Sequence, residues 1–155
     1  MSYYTKKAKR VKQLFDKGLP FVKVYTAVRE GDGFLVLKKT NGSEVVYDLA
    51  GGGVDKKESL EKALKRELKE EMRAEVEVIK ELGVYDKMYR EWEYNGEKFS
   101  IQYEIHVFDT KLKKRKRGKL GLKGEFDKHT EIVKIDKETL VSSVPEFRDF
   151  GIKID

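Results

Sequence analysis

The spacing of hydrophobic positions changes from a helical pattern to a strand pattern near Pro20. Between residues 6 and 17 the apolar positions recur at helical spacing and share one side of a helix, namely Val11, Leu14 and Phe15. Gly18 and Pro20 end this pattern, because glycine favours helix ends and proline cannot continue a helix. We therefore expect a short helical extension over about residues 3–18 that packs on the following domain or closes over it.

The next segment is rich in β-branched and apolar residues and predicts paired strands. Runs at 21–28 and 34–37 are separated by Glu30-Gly-Asp-Gly33, whose glycines permit the backbone angles of a tight hairpin. A short strand is expected at 45–49. Three consecutive glycines, Gly51 to Gly53, then interrupt the pattern, and we expect a requirement other than packing to place them there.

A helix over 58–72 is predicted next, because strong helix formers fill it without glycine or proline. Long strands are predicted at 75–90 and 97–108, on either side of Asn95-Gly96. In the second of these strands every other residue is apolar, and these residues share one face: Phe99, Ile101, Tyr103, Ile105 and Val107. A strand at 131–135 and a helix from about Lys137 complete the pattern, which predicts an α/β chain.

Composition narrows the chemistry. The length of 155 residues predicts a single domain, 1–155, and the 34 basic against 28 acidic residues give a net charge of +6 that favours anionic partners. The absence of cysteine excludes a thiolate zinc site and a cysteine nucleophile. No apolar run is long enough to span a membrane, and no signal peptide is visible, so we expect a cytoplasmic protein without a membrane partner.

The predicted helix at 58–72 carries carboxylates where burial is expected. Glu67 and Glu71 fall within the arc of its buried side, and Glu70 lies at the edge of that arc. The three residues are neighbours and lie near the negative end of the helix dipole, which does not favour stability. Taken alone, the helix favours glutamates paired with nearby lysines, but a divalent cation such as Mg²⁺ is the alternative.

The residues before the helix change that balance. Gly52, Glu58 and the Arg66-Glu67-Leu68-x-Glu70-Glu71 segment have the spacing Gly-x(5)-Glu-x(7)-Arg-Glu-U-x-Glu-Glu-x-Gly-U, with U an aliphatic residue. This resembles the Nudix box over residues 52–74, and seven of its nine specified positions match. The two departures are Arg73 in place of the glycine and Ala74 in place of a bulkier aliphatic residue. Arg73 either strains a left-handed turn or lets the helix run on.

The resemblance implies an α/β/α sandwich with a mixed β-sheet. It implies that Glu67, Glu70 and Glu71 bind Mg²⁺ or Mn²⁺ together with the backbone carbonyl of Gly51. It further implies that Arg66 orients the carboxylates and that Glu58 braces the glycine loop. The implied reaction is a pyrophosphohydrolase reaction, in which water attacks the diphosphate linkage of a nucleoside diphosphate joined to another moiety.

The resemblance leaves the general base open. It is a box glutamate in some members of the family and a loop residue in others. Glu70, Glu125 and Glu131 are therefore alternatives here, with Glu70 ranked first.

Substrate recognition is the least determined part of the sequence. Lys38 and Lys39 at the end of a strand are candidates for contacting a substrate phosphate, and Tyr89 is a candidate for stacking on a base. The basic run Lys111 to Lys119 is expected to be a solvated loop, or alternatively a surface for polyphosphate or RNA. The alternative function is thus an RNA- or nucleotide-binding Nudix module. A monomer and a homodimer are both compatible with the sequence.

Overall fold

The computed structural model describes residues 3–116 and 130–155. In chain order its elements are α1 (Tyr3–Asp16), β1 (Phe21–Glu30), β2 (Gly33–Asn41), β3 (Glu44–Asp48), β4 (Ala50–Gly53), α2 (Leu60–Met72), β5 (Ala74–Tyr94), β6 (Glu97–Arg115), β7 (Thr130–Ile135), α3 (Lys137–Ser143) and α4 (Pro145–Arg148). Within these residues, no helix is both long enough and apolar enough to cross a membrane.

The strands form one mixed sheet with β1 at its centre. β1 pairs in parallel with β6 and antiparallel with β2 and β4. β2 also pairs antiparallel with β3 and β7, and β5 pairs antiparallel along the whole of β6. The long β5–β6 hairpin turns at Asn95-Gly96, where both residues have positive φ angles of 52° and 77°. Such angles are those of a tight hairpin turn, as the sequence predicts.

Helices cover both faces of this sheet, which confirms the predicted α/β/α sandwich. On one face, Ala63, Leu64, Leu68 and Met72 of α2 pack on Val24 and Val28 of β1 in one cluster of buried residues. On the other face, residues of α1, α3 and α4 share a second cluster with Phe21, Ala27 and the alternating residues of β6. Because successive strand residues point to opposite faces, β1 contributes to both clusters.

The structure corrects three details of the sequence-based prediction. Gly51 to Gly53 do not break the sheet but form β4, paired with residues 23–25 of β1. The helix over 58–72 begins only at Leu60, because Ser59 caps it by accepting a hydrogen bond from the backbone N–H of Lys62. The first part of the basic run, Lys111 to Arg115, belongs to strand β6, and residues 117–129 lie outside the described part of the chain.

Arg73 ends α2 in the same way that a glycine would. Its φ and ψ angles are 52° and 36°, in the left-handed region, and its backbone N–H is directed at the carbonyls of Leu68 and Lys69. A left-handed residue at this position satisfies carbonyl groups that the helix leaves without partners. The helix therefore does not run on past the box, although an arginine replaces the glycine.

Candidate active site

The glutamates of α2 differ in their exposure in the way that their helical phase predicts. Glu67 and Glu71 are buried, with 3% and 5% of their surface exposed, on the side of α2 that packs on the sheet. The side chain of Glu70 is 30% exposed. Two neighbouring carboxylates placed in a partly dehydrated site repel each other, and such an arrangement is stabilised by a cation or by a charged partner.

Arg66 is one such partner. Its Nη1 atom donates to Oε1 of Glu67 at 3.0 Å and lies 3.5 Å from Oε2 of Glu70. Its Nε and Nη2 atoms donate to the two carboxylate oxygens of Glu58, each at 2.8 Å, and Nη2 also donates to the carbonyl of Gly53 at 3.0 Å. One guanidinium thus joins α2 to strand β4 and to the loop between them.

This pairing shifts the ionisation of both partners. The guanidinium of Arg66 lowers the pKa of Glu58 to about 2, and Glu58 in turn raises the pKa of Arg66. Glu58 also accepts a hydrogen bond from the backbone N–H of Asp55 at 3.0 Å, so its carboxylate holds the turn that leads into α2. Glu58 is therefore ionised and fixed over the whole physiological pH range.

The glycines of β4 allow the strand to approach α2 closely. A Cβ atom on Gly52 would lie 2.5 Å from the carboxylate carbon of Glu67. A Cβ atom on Gly51, whose φ is 148°, would overlap the carbonyl oxygen of Val24. A side chain at either position would push the strand away from the helix or from β1. At Gly52 the requirement is thus the close approach of the strand to the carboxylate of Glu67, and at Gly51 it is the close approach to β1.

A cleft of about 640 Å³ opens beside these residues. Gly51, Gly52, Glu67 and Glu71 line the cleft, and so do four basic residues: Lys7, Lys23, Lys39 and Arg90. Aromatic residues line it as well, among them Tyr25, Tyr103 and Phe150. The cleft therefore presents both acidic and basic side chains to anything that enters it.

The predicted site residues are divided between this cleft and its surroundings. Gly51, Glu67, Glu71 and Lys39 line the cleft. Glu70 instead lines a smaller depression under α1, which Glu67 shares. Lys38, 3.8 Å from Glu131, and Tyr89, which is 61% exposed, are not among the residues that line the cleft. Glu131 is not among them either, and Glu125 falls outside the described residues.

The structure adds Glu146 to the cleft, which sequence reasoning missed. Glu146 lies in α4, and within the described residues its Oε2 atom is buried without a hydrogen-bond partner. Burial raises its pKa to about 7, and the nearby charges of Asp48 and Asp149 add to this effect. Burial and the carboxylates of Glu146 and Glu71 likewise raise the pKa of Tyr25. Only the tertiary fold brings Glu146 to α2, so no local pattern in the sequence could have revealed it.

The cleft offers the type of ligand atom that a hard divalent cation prefers. Glu67 and Glu71 supply buried carboxylate oxygens in the same cleft as the backbone of Gly51, and oxygen donors are what Mg²⁺ and Mn²⁺ prefer. Among residues 3–116 and 130–155, no three carboxylate or histidine side chains already surround one point as metal ligands. Coordination of one ion by Glu67, Glu70 and Glu71 together therefore requires side-chain rotation.

Solved structures of other proteins share this architecture. The MutT protein from Methanosarcina mazei Go1 is 26% identical, with a TM-score of 0.54 over 84% of this chain and 88% of that one. A MutT NUDIX hydrolase from Burkholderia pseudomallei is 23% identical, with a TM-score of 0.52 over 81% and 87% of the two chains. The E. coli ORF135 protein is 21% identical, with a TM-score of 0.52 over 85% and 83%. No curated protein sequence gives a significant match.

The sheet with helices on both faces, and the glutamate helix beside a glycine strand, define a class of enzyme: hydrolases that act on phosphorus-containing acid anhydrides. Within that class, the family model described as the NUDIX domain matches residues 20–146, which is most of the chain. The chain belongs to the Nudix family. Helix α1 precedes the matched region.

Proposed function

We propose that this protein is a Mg²⁺-dependent pyrophosphohydrolase that cleaves the diphosphate linkage of a nucleoside diphosphate joined to another moiety. The observation that carries the proposal is the pair of buried carboxylates, Glu67 and Glu71, which line one cleft together with basic side chains. A diphosphate is a dense anion that needs a cation on one side and hydrogen-bond donors on the other. A solved structure described as a UDP-X diphosphatase, 17% identical to this chain with a TM-score of 0.52, shares the fold.

In this proposal Glu67, Glu70, Glu71 and the carbonyl of Gly51 hold the cation, with Mn²⁺ able to replace Mg²⁺. The bound ion would neutralise the diphosphate and lower the pKa of a water molecule. Arg66 orients the carboxylate of Glu67 through its 3.0 Å hydrogen bond. Glu58 fixes Arg66 in turn, so both act on the reaction by positioning other groups.

Glu70 remains our first choice for the group that accepts the proton of the attacking water. Its side chain is more exposed than those of Glu67 and Glu71, and it lines a depression together with Glu67, so water has access to it. Nη1 of Arg66 lies 3.5 Å from its Oε2 atom, so the guanidinium can hold the carboxylate in position. Glu131 is a weaker alternative, because its side chain is 63% exposed and lies beside Lys38 on the sheet.

The test is a panel of nucleoside diphosphate derivatives, dinucleoside polyphosphates and nucleoside triphosphates, assayed with Mg²⁺, with Mn²⁺ and with EDTA. At least one compound should be hydrolysed with metal and none with EDTA. Glu71→Gln and Glu70→Gln should each lower kcat/KM by more than the roughly 10–100-fold that supporting residues cost. Glu61→Gln is the matched control, because Glu61 lies on the same helix, is 57% exposed and pairs with Lys65. Equal rates for Glu71→Gln and Glu61→Gln would contradict the assignment of the site.

A second function, RNA recognition, has one structural observation in its favour. Lys113 of β6 lines a depression together with Lys65 and Lys69 of α2, beside Glu70. Three ammonium groups around one depression suit a phosphate backbone, with salt-dependent binding from counterion release. Tight RNA binding that weakens steeply with salt, together with no turnover of any compound in the panel, would favour this function over the first.

A further inference from the structure

Helix α1 lies outside the region that the family model matches, yet it is attached to the edge of the cleft. Ala8 and Val11 are buried, with 2% and 1% of their surface exposed. Arg10 donates to the backbone carbonyl of Val54 and pairs with the carboxylate of Asp55, both in the loop that leads from β4 to α2. The helix is therefore held in place at the cleft by apolar and polar contacts.

Both ends of α1 are held against the β5–β6 hairpin. Tyr4 stacks on Trp92 with ring centres 5.9 Å apart, and Phe15 packs on Phe99 at 5.0 Å. Lys12 donates to Glu97 at 3.2 Å. Because both ends of α1 are fixed, a side chain on its inner face has a defined position relative to α2.

Lys7 is the residue of α1 that reaches the cleft itself. It lines both the large cleft and the smaller depression, and Glu67 also lines both. On a helix, Lys7 lies on the same side as Arg10 and Val11, which contact the body of the protein. Lys9 lies two residues further along, about 200° around the helix, and is exposed.

Lys7 and Lys23 both lie near the ring of Phe21, and each lies near one further aromatic ring. The Nζ atom of Lys7 lies 5.9 Å from the ring centre of Trp92 and 6.0 Å from that of Phe21. The Nζ atom of Lys23 lies 5.4 Å from the ring centre of Phe21 and 5.5 Å from that of Tyr103. Cations near aromatic faces are stabilised by the ring quadrupole, so these rings help to hold both ammonium groups in position.

We propose that Lys7 and Lys23 form an anion-binding subsite for a phosphate group of the substrate that lies beyond the diphosphate held at the α2 glutamates. This rests on the proposed function. The subsite lines the same cleft as Glu67 and Glu71, so a phosphate chain can contact the two lysines and the cation at the glutamates at once. A substrate with three or more phosphates uses both the subsite and the cation, whereas a diphosphate joined to a neutral group uses only the cation. The subsite therefore favours polyphosphate substrates over neutral conjugates.

The binding test uses inorganic tripolyphosphate and pyrophosphate as probes, titrated by calorimetry in the presence of Mg²⁺. Lys7→Met and Lys23→Met should each weaken tripolyphosphate binding about tenfold, the loss expected for one charge-assisted hydrogen bond. Pyrophosphate binding should change less than about twofold, because that probe is fully held at the glutamates. Equal losses for the two probes would overturn the assignment to a further phosphate.

Control variants separate this role from a structural one. Lys9→Met removes an exposed lysine from the same helix and should bind both probes like the unmodified protein. Lys7→Arg keeps the charge and should restore most of the tripolyphosphate affinity. If Lys7→Met binds tripolyphosphate as Lys9→Met does, or if Lys7→Arg fails to rescue while melting at the normal temperature, the subsite is wrong.

The kinetic test shows whether the hydrolase and the subsite fail together. For a triphosphate substrate, Lys7→Met should raise KM about tenfold and leave kcat nearly unchanged, whereas Glu71→Gln should lower kcat. A fall in kcat with unchanged KM for Lys7→Met would contradict the proposal. If no compound is turned over, the hydrolase proposal fails, and the calorimetric comparison still decides for or against the subsite.

Discussion

Arg66 and Glu58 form a two-point hydrogen-bonded ion pair, Nε to Oε2 and Nη2 to Oε1, both at 2.8 Å. Eight residues separate the two partners, and the pair closes the turn between strand β4 and helix α2. The fork of a guanidinium matches both oxygens of a carboxylate, which an ammonium group cannot do. The pair therefore fixes the direction of the Arg66 side chain and, through it, the carboxylate of Glu67.

The first prediction concerns Arg66→Lys. The substitution keeps the charge but loses the fork, so we expect kcat/KM to fall roughly 10–100-fold, as for other residues that orient metal ligands. Lys65→Arg, at an exposed neighbouring position, is the control and should leave kcat/KM within about twofold. Comparable rates for Arg66→Lys and the unmodified protein would show that the fork is not needed.

The second prediction concerns stability in acid. Because the pKa of Glu58 is lowered from 4.5 to about 2, its ionised form stabilises the folded protein above about pH 4.5. This contribution disappears as the pH falls toward 2, and it amounts to about 3 kcal/mol at most. Urea unfolding between pH 6 and pH 2 should therefore show the stability gap between the unmodified protein and Glu58→Gln closing with acid. A gap independent of pH would contradict the assignment.

The third prediction concerns Glu146, whose pKa shift changes stability with pH in the opposite direction to that of Glu58. Burial raises the pKa of Glu146 from 4.5 to about 7, so the folded protein holds a proton that the unfolded chain releases. The protonated form stabilises the fold below about pH 4.5, and this contribution is lost as the pH rises through about 7. In EDTA, Glu146→Gln should thus gain stability relative to the unmodified protein between pH 5 and pH 8. Parallel stability curves for the two proteins would argue against a buried carboxyl at this position.

The fourth prediction concerns the left-handed end of α2. Arg73→Gly should increase the free energy of unfolding by about 0.5–1 kcal/mol, because glycine adopts a φ of 52° without steric cost. Lys69→Gly, one turn earlier in the same helix, should lower it by a similar amount, because there glycine only adds entropy to the unfolded chain. Denaturant unfolding of both variants measures the difference, and a loss of stability in Arg73→Gly would contradict the strain.

Sequence patterns predicted those features of the site that depend on residues close together in the sequence. The burial of Glu67 and Glu71 follows from their position on the helix, since helical phase and the apolar arc of α2 are determined within a few turns. The alternating residues of β6 became one buried face for the same reason. The spacing of Gly52, Glu58 and Arg66 correctly indicated the family.

The remaining parts depend on long-range contacts. Residues Gly51 to Gly53 have poor strand propensity and were expected to interrupt the sheet, but pairing with β1 outweighs that propensity. Lys7 and Glu146 enter the cleft from opposite ends of the chain, and neither belongs to a motif. Strand alternation places only one of the neighbours Lys38 and Lys39 on the face of the cleft, and that residue is Lys39. Nothing in the local sequence indicates which of the two it is.

Two arginines from different helices hold the segment between β4 and α2. Arg66 reaches the carbonyl of Gly53 from within the family's domain, whereas Arg10 reaches the next carbonyl, that of Val54, from α1. A shortened protein that starts at Pro20, where the family match begins, would keep the first of these contacts and lose the second. Anyone who trims this protein to the matched region for crystallography or assay would thus be handling an enzyme in which one end of the loop between β4 and α2 is released.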